Sequence, residues 1–251
     1  MFRPRVIPVL LLRDGALVKT VSFRDPRYIG DPVNAVRIFD ELGADELVVL
    51  DILASRKRRS IPLDVVTAIA AEANMPLTVG GGIHSVAQIR SLVAAGVEKV
   101  VIGTNAVDDP GFIEEAAGHF GSSSIVVCMD VRRSAFGRTV VCRGGRPTRH
   151  DPIDFARTVE ARGAGELIVQ SVDRDGTMRG YDLKMLRSVS DAVGIPVVAL
   201  GGAGGLQHFR EAHLEGGASA VAAGSLFVFH GPHRAVLISY PGYAALERIF
   251  E

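Results

Sequence analysis

Cysteine is scarce in this sequence, neither sign of charge is in excess, and long apolar runs are missing. Cys128 and Cys142 are too few for a disulfide framework, which fits a reducing cytoplasm. Cys128 lies in the apolar run 125–129 and reads as a buried small hydrophobe. Lys and Arg together number 28, as do Asp and Glu, so the formal charge is zero. A chain without a basic excess does not look like a bulk nucleic-acid binder. A site for one small phosphorylated ligand needs only local charge and stays open. No stretch approaches the roughly 20 apolar residues of a membrane span. The run 6–12 is short, holds Pro8 and is followed by no cleavage-like segment, so no targeting signal is expected. No metal and no cofactor are expected.

What is present is an alternation that fills the chain of 251 residues. Eight short runs carry almost no internal polarity: 5–12, 47–50, 77–79, 100–102, 125–127, 167–169, 197–200 and 220–223. Strands covered on both faces of a parallel sheet read this way. Helical segments lie between them. Asp31-Pro32 and Asp151-Pro152 each offer a capping side chain followed by a first-turn proline, and Gly43 and Gly163 close those helices. Ser85 and Gln88 have capping-box spacing. Further helices are expected at about 63–73, 109–118, 182–192, 206–215 and 240–250. Eight strands alternating with eight helices predict an α/β fold, a (β/α)8 TIM barrel. A doubly wound sheet is the competitor, and would usually need fewer strands or a second domain.

An internal repeat strengthens the barrel. Ala44-Asp45-Glu46-Leu47 resembles Ala164-Gly165-Glu166-Leu167, Met75-Pro76-Leu77 resembles Ile195-Pro196-Val197, and Gly81-Gly82 resembles Gly201-Gly202, each pair 120 positions apart. Two similar (β/α)4 halves, about 1–121 and 122–251, follow from this. Half-barrels cannot close their sheets alone, so residues 1–251 are expected to form a single domain.

Barrel chemistry sits where strands end. Two glycine-rich loops fall there in each half: Gly80-Gly81-Gly82 with Gly103-Thr104, and Gly201-Gly202-Ala203-Gly204-Gly205 with Gly224-Ser225. Glycines let backbone N–H groups approach an anion, and Thr104 and Ser225 add hydroxyl donors. The expectation is two phosphate sites related by the repeat. Other polar strand-end residues are Asp51, Asp130, Gln170, Ser171, Asp173 and Asp175, and Asp130 is the leading acid–base candidate. Its counterpart in the first half is Leu11, which cannot transfer protons. Lys19 follows the first strand and suits an anionic ligand. The run Arg56-Lys57-Arg58-Arg59 is either a solvated loop or a patch steering an anion inward. At the opposite strand ends, Arg5, Glu46, Lys99 and Glu166 alternate in sign and could ring the barrel axis with ion pairs.

Over residues 5–230 the sequence resembles the HisF family, the cyclase subunit of imidazole glycerol phosphate synthase. The resemblance rests on Arg5-Val6-Ile7-Pro8, Asp14-Gly15 with Val18-Lys19, Gly30-Asp31-Pro32, Leu50-Asp51-Ile52, Val79-Gly80-Gly81-Gly82-Ile83, Asp173-Arg174-Asp175-Gly176-Thr177 and Gly201-Gly202-Ala203-Gly204. It implies a barrel that receives ammonia from a HisH-like glutaminase docked on its N-terminal face. Arg5, Glu46, Lys99 and Glu166 would be the gate of the ammonia passage. Lys19 and the residues Gly81, Gly82, Gly103, Thr104, Gly201, Gly202, Gly224 and Ser225 would hold substrate phosphates. Family catalysis uses two aspartates, at positions matching 11 and 130. Leu11 is a departure, and Gln170 and Gly103 also replace the usual Thr and Asn.

The segments 10–12, 17–21 and 229–241 look more like the WbuZ branch, associated with surface polysaccharide. The preferred expectation is therefore ammonia supply for amidation of a sugar acetamido group, with a sugar amidotransferase as a further partner. The alternative is a working imidazole glycerol phosphate synthase subunit. The second alternative is a non-catalytic barrel that activates the glutaminase.

Overall fold

A computed structural model describes residues 3–135 and 137–251, so Met1, Phe2 and Phe136 of the expected 1–251 domain lie outside the described residues. Eight parallel strands make the frame: β1 (Arg5–Arg13), β2 (Leu47–Asp51), β3 (Leu77–Gly80), β4 (Lys99–Ile102), β5 (Ile125–Ser134), β6 (Glu166–Ser171), β7 (Val197–Leu200) and β8 (Ala220–Ala223). Each pairs with the next, and β8 pairs with β1 through Arg5↔Ala220 to Pro8↔Ala223. The sheet is therefore closed. Eight helices alternate with the strands: α1 (Pro32–Glu41), α2 (Leu63–Ala70), α3 (Val86–Ala94), α4 (Gly111–Phe120), α5 (Pro152–Ala161), α6 (Leu183–Ser190), α7 (Leu206–Leu214) and α8 (Tyr243–Phe250). This is the (β/α)8 barrel that the alternation predicts.

The local signals act as the sequence suggests. Asp31 accepts from the Asn34 N–H, and Asp151 from those of Ile153 and Asp154, with Pro32 and Pro152 in the first turns. Gly43 and Gly163 take left-handed φ values of 70° and 88° just past the helices they end. Ser85 caps α3 through the Gln88 N–H. The Gln88 side chain, however, binds the His84 N–H at 2.9 Å, one residue earlier than a capping box requires.

Strand period divides the apolar residues into two cores. Residues facing the helices, such as Val6, Leu47, Val79, Val127, Leu167 and Val221, form the outer one with Phe39, Phe209 and Phe227. Residues facing the axis, among them Ile7, Val48, Val101, Val126, Ile168 and Val198, form the inner one. Burying each such side chain contributes about 1.5–3 kcal/mol. Along β1, Arg5, Ile7, Val9 and Leu11 turn inward; along β6, Glu166, Ile168 and Gln170 do so.

Three features were not expected from periodicity. Strand β1 continues into an antiparallel meander, Ala16–Val21 and Arg24–Gly30, with Leu12 opposite Leu17. The turn between them is Asp14-Gly15, with φ of 50° and 83°, the left-handed pair that a two-residue hairpin needs. Strand β5 does the same with Gly137–Cys142, which runs back from Ser134↔Gly137 to Asp130↔Val141. Short helical turns, Thr104–Asp108 and Ser225–Val228, follow β4 and β8 at matching places in the two halves.

Candidate functional site

The loops after the strands enclose a cavity of about 480 Å³ at the C-terminal mouth of the barrel. Of the residues singled out in the sequence, Leu11, Lys19, Asp51, Arg56, Gly81, Gly82, Gly103, Thr104, Asp130, Gln170, Asp175 and Gly224 line it. Gly201, Gly202 and Ser225 do not. Gly202 has φ of 117°, and a Cβ there would lie 2.2 Å from the Gly180 carbonyl oxygen, so its glycine is set by loop packing. Gly82 is similarly constrained, with φ of 67° and the Arg59 carbonyl oxygen 1.9 Å from where a Cβ would sit. Ser225 is buried in its helical turn.

Asp130 stands on β5, opposite Gln170 of β6 in the sheet register. Burial pushes its carboxyl up to about 7, and the neighbouring charge of Asp175 adds to the shift. Cys128 donates to Asp130 Oδ1 at 3.8 Å, and burial holds that thiol well above its ordinary range. Near neutral pH Asp130 therefore exchanges its proton readily, as a general acid or base must. Lys19 lies on the strand Ala16–Val21, is almost fully buried, and donates to the Val9 carbonyl. Burial lowers its ammonium to about 8. A Cβ at position 224 would sit 2.2 Å from Lys19 Nζ, so Gly224 is what lets the lysine reach this point.

Asp175 completes the polar wall. It accepts from Thr20 Oγ1 at 2.9 Å and Gln170 Nε2 at 3.4 Å, and burial raises its pKa. The sequence placed it at a strand end without assigning it to the site. The Asp173-Arg174-Asp175 segment just past β6 was the available signal. Asp51, by contrast, is committed to structure: it pairs with Arg59 at 2.6 Å and accepts from the Leu53 and Ala54 N–H groups. Val9, Leu11, Leu50, Val101 and Leu200 add an apolar part to the cavity lining.

At the other end of the barrel, four inward side chains meet. Lys99 Nζ lies 3.2 Å from Glu46 and 3.2 Å from Glu166, and Arg5 binds both glutamates through separate guanidinium nitrogens. All four cross-axis ion pairs form. Thr78, which sequence reading missed, donates to Glu46 Oε1 at 2.7 Å. Among the described residues no group of His, Cys, Asp and Glu could hold a metal ion, and no helix is long and apolar enough to cross a membrane.

The closed barrel, with a charged ring at one end and a partly polar cavity at the other, defines a (β/α)8 protein with its candidate site at the strand C-termini. Comparison with known proteins narrows the class. A family model described as histidine biosynthesis protein matches residues 5–233. A Leptospira borgpetersenii relative, a putative imidazole glycerol phosphate synthase subunit HisF, is 44% identical over the whole of both chains. The HisF subunit of Alkaliphilus metalliredigens is 47% identical over 92% of each chain. A Pseudomonas aeruginosa relative, putative subunit hisF2, is 44% identical over 98% of this chain and 99% of its own. The chain belongs to the HisF family of histidine biosynthesis proteins.

Proposed function

We propose that this chain is the ammonia-accepting subunit of an imidazole glycerol phosphate synthase. Its partner in this reading is a HisH-like glutaminase on the N-terminal face. Ammonia passes the ring of Arg5, Glu46, Lys99 and Glu166 and crosses the apolar layer of Ile7, Val48, Val101, Val126, Ile168 and Val198. That layer favours neutral ammonia, the nucleophile, over ammonium, whose desolvation is costly. At the mouth the bis-phosphorylated aminoimidazole carboxamide ribonucleotide presents its phosphates to Lys19 and the loops holding Gly82, Gly103, Thr104 and Gly224. The observation that carries the reading is Asp130, whose carboxyl is displaced to about 7 inside the cavity on the far side of that apolar layer. It moves protons as ammonia adds and the ring closes.

The relatives' names favour histidine biosynthesis over the sugar amidation that the WbuZ-like segments suggested. One observation favours another acceptor: Leu11 lines the cavity where the family's other aspartate is expected, so the mouth holds Asp130 and Asp175 but no carboxylate on β1. In that second reading, ammonia serves amidation of a sugar acetamido group.

A single-turnover assay of the purified chain, with the bis-phosphorylated nucleotide and excess ammonium at high pH, tests the first reading. Formation of imidazole glycerol phosphate is expected. A folded chain that forms none overturns it, leaving the sugar acceptor or a scaffold that only activates the glutaminase.

A further inference from the structure

Gln170 is the last inward residue of β6, one inward position beyond Ile168 of the apolar layer. It lies opposite Asp130 of β5 and Leu200 of β7 in the sheet register, and it lines the main cavity. It is 5% exposed. Its Nε2 donates to Asp175 Oδ1 at 3.4 Å. That contact fixes which way the amide points, because the reverse would set its oxygen against a carboxylate oxygen. Oε1 is therefore the other end, and it is buried with no donor among the described residues. The donors nearby are committed elsewhere: Lys19 to the Val9 carbonyl, Thr20 Oγ1 to Asp175, and the Cys128 thiol to Asp130. The axis-facing core at this end is Leu11, Leu50 and Leu200, whose side chains offer no hydrogen bond.

A buried acceptor without a donor is costly, so this oxygen calls for a hydrogen brought from outside. Phosphate and carbonyl oxygens bring none. Ammonia brings three N–H donors, and on the axial route it leaves the apolar layer at Ile168, one inward position short of this oxygen. A neutral amide oxygen also holds ammonia without favouring its protonation, as a bare carboxylate would. We propose that Gln170 Oε1 receives ammonia at its exit from the apolar layer, accepting one N–H and leaving the nitrogen lone pair open beside Asp130. Gln170 thus positions the nucleophile. This deepens the proposed function and rests on its reading of the barrel axis as the route of ammonia.

Two readouts on the full chain test it. Selective isotope labelling of glutamine makes the side-chain amides of Gln88, Gln170 and Gln207 visible by magnetic resonance, and Gln170→Met assigns the signal of interest. Ammonium chloride at alkaline pH, where part of it is ammonia, should shift the Gln170 amide and leave Gln88 and Gln207 in place. Potassium chloride at equal ionic strength should shift none of them. In the ammonium-driven assay, Gln170→Met keeps the side-chain length without the amide oxygen. It should raise the KM for ammonium about tenfold and leave the KM for the nucleotide unchanged. An unmoved Gln170 signal or an unchanged ammonium KM overturns the proposal. So does a rise confined to the nucleotide KM, which would make a hydrogen of the nucleotide the partner of Oε1. A Gln170 shift without imidazole glycerol phosphate formation upholds this site and overturns the proposed acceptor. Product without the shift does the reverse.

Discussion

The two ends of the barrel place charge on equivalent inward positions and treat it in opposite ways. At the N-terminal end, Arg5 and Lys99 face Glu46 and Glu166, and each charge meets two of opposite sign. At the C-terminal end, Asp130 and Asp175 share one wall with a single buried lysine, and their carboxyls rise from the ordinary range. Strand period brings both sets to the axis. What differs is pairing: cancelled charge makes a fixed ring, whereas incompletely cancelled charge in a poorly solvated site makes groups that exchange protons near neutral pH.

Removing the displaced acid should give the largest effect. Asp130→Asn is expected to lower product formation in the ammonium-driven assay by roughly 10²–10⁴-fold. The same change should stabilise the fold, with a definite pH dependence. Unfolded, the carboxyl ionises in its ordinary range near about 4. Folded, it keeps its proton to about 7. The native state thus loses stability as pH rises between those values, and the loss is complete above the upper one. Thermal melts should show Asp130→Asn more stable than the parent chain at pH ~8 and equal to it at pH ~4.

Breaking the ring tests the other end. Glu46→Gln leaves Arg5 and Lys99 sharing one carboxylate, and losing a buried partner costs about 3 kcal/mol or more. Urea unfolding at neutral pH measures it; a change within error would mean that the ring is dispensable to the fold. Lys99→Met leaves Glu46 and Glu166 sharing Arg5, and beyond the loss of stability it should alter the ratio of glutamine hydrolysed to product aminated in the assembled complex. An unaltered ratio counts against passage through the ring.

The contrast is sharpened by pH. With Asp130 acting as base near 7 and Lys19 needed as a cation up to about 8, kcat/KM should peak between the two values. A profile flat across about three pH units around these values would remove both groups from the chemistry. The smallest effect is expected at the rim. Arg234 lies 5.7 Å from the centre of the Phe229 ring and donates to the Gly176 carbonyl at 2.9 Å. Arg234→Ala should cost about 1 kcal/mol, a melting shift of about 2–4 °C.

Local period and punctuation, read directly from the residues, determined the eight strands, the helix starts at Pro32 and Pro152, the repeat at an offset of 120, and the inward placement of Leu11, Asp130 and the four ring charges. These follow from neighbours in the chain, since a two-residue or 3.6-residue period needs no knowledge of distant contacts. The hairpin at Asp14-Gly15 was not read from the sequence, although that dipeptide carries the left-handed pair its turn uses. Tertiary closure alone decided the rest. It brought Thr20 and Gln170 onto Asp175, set Asp175 near Asp130, gave Asp51 to Arg59, and packed Gly201 and Gly202 against the Ser171 and Gly180 carbonyl oxygens. Each of those outcomes depends on how far a group is desolvated and on which charge from another strand stands beside it. Both are properties of the closed barrel that no segment of the chain carries by itself.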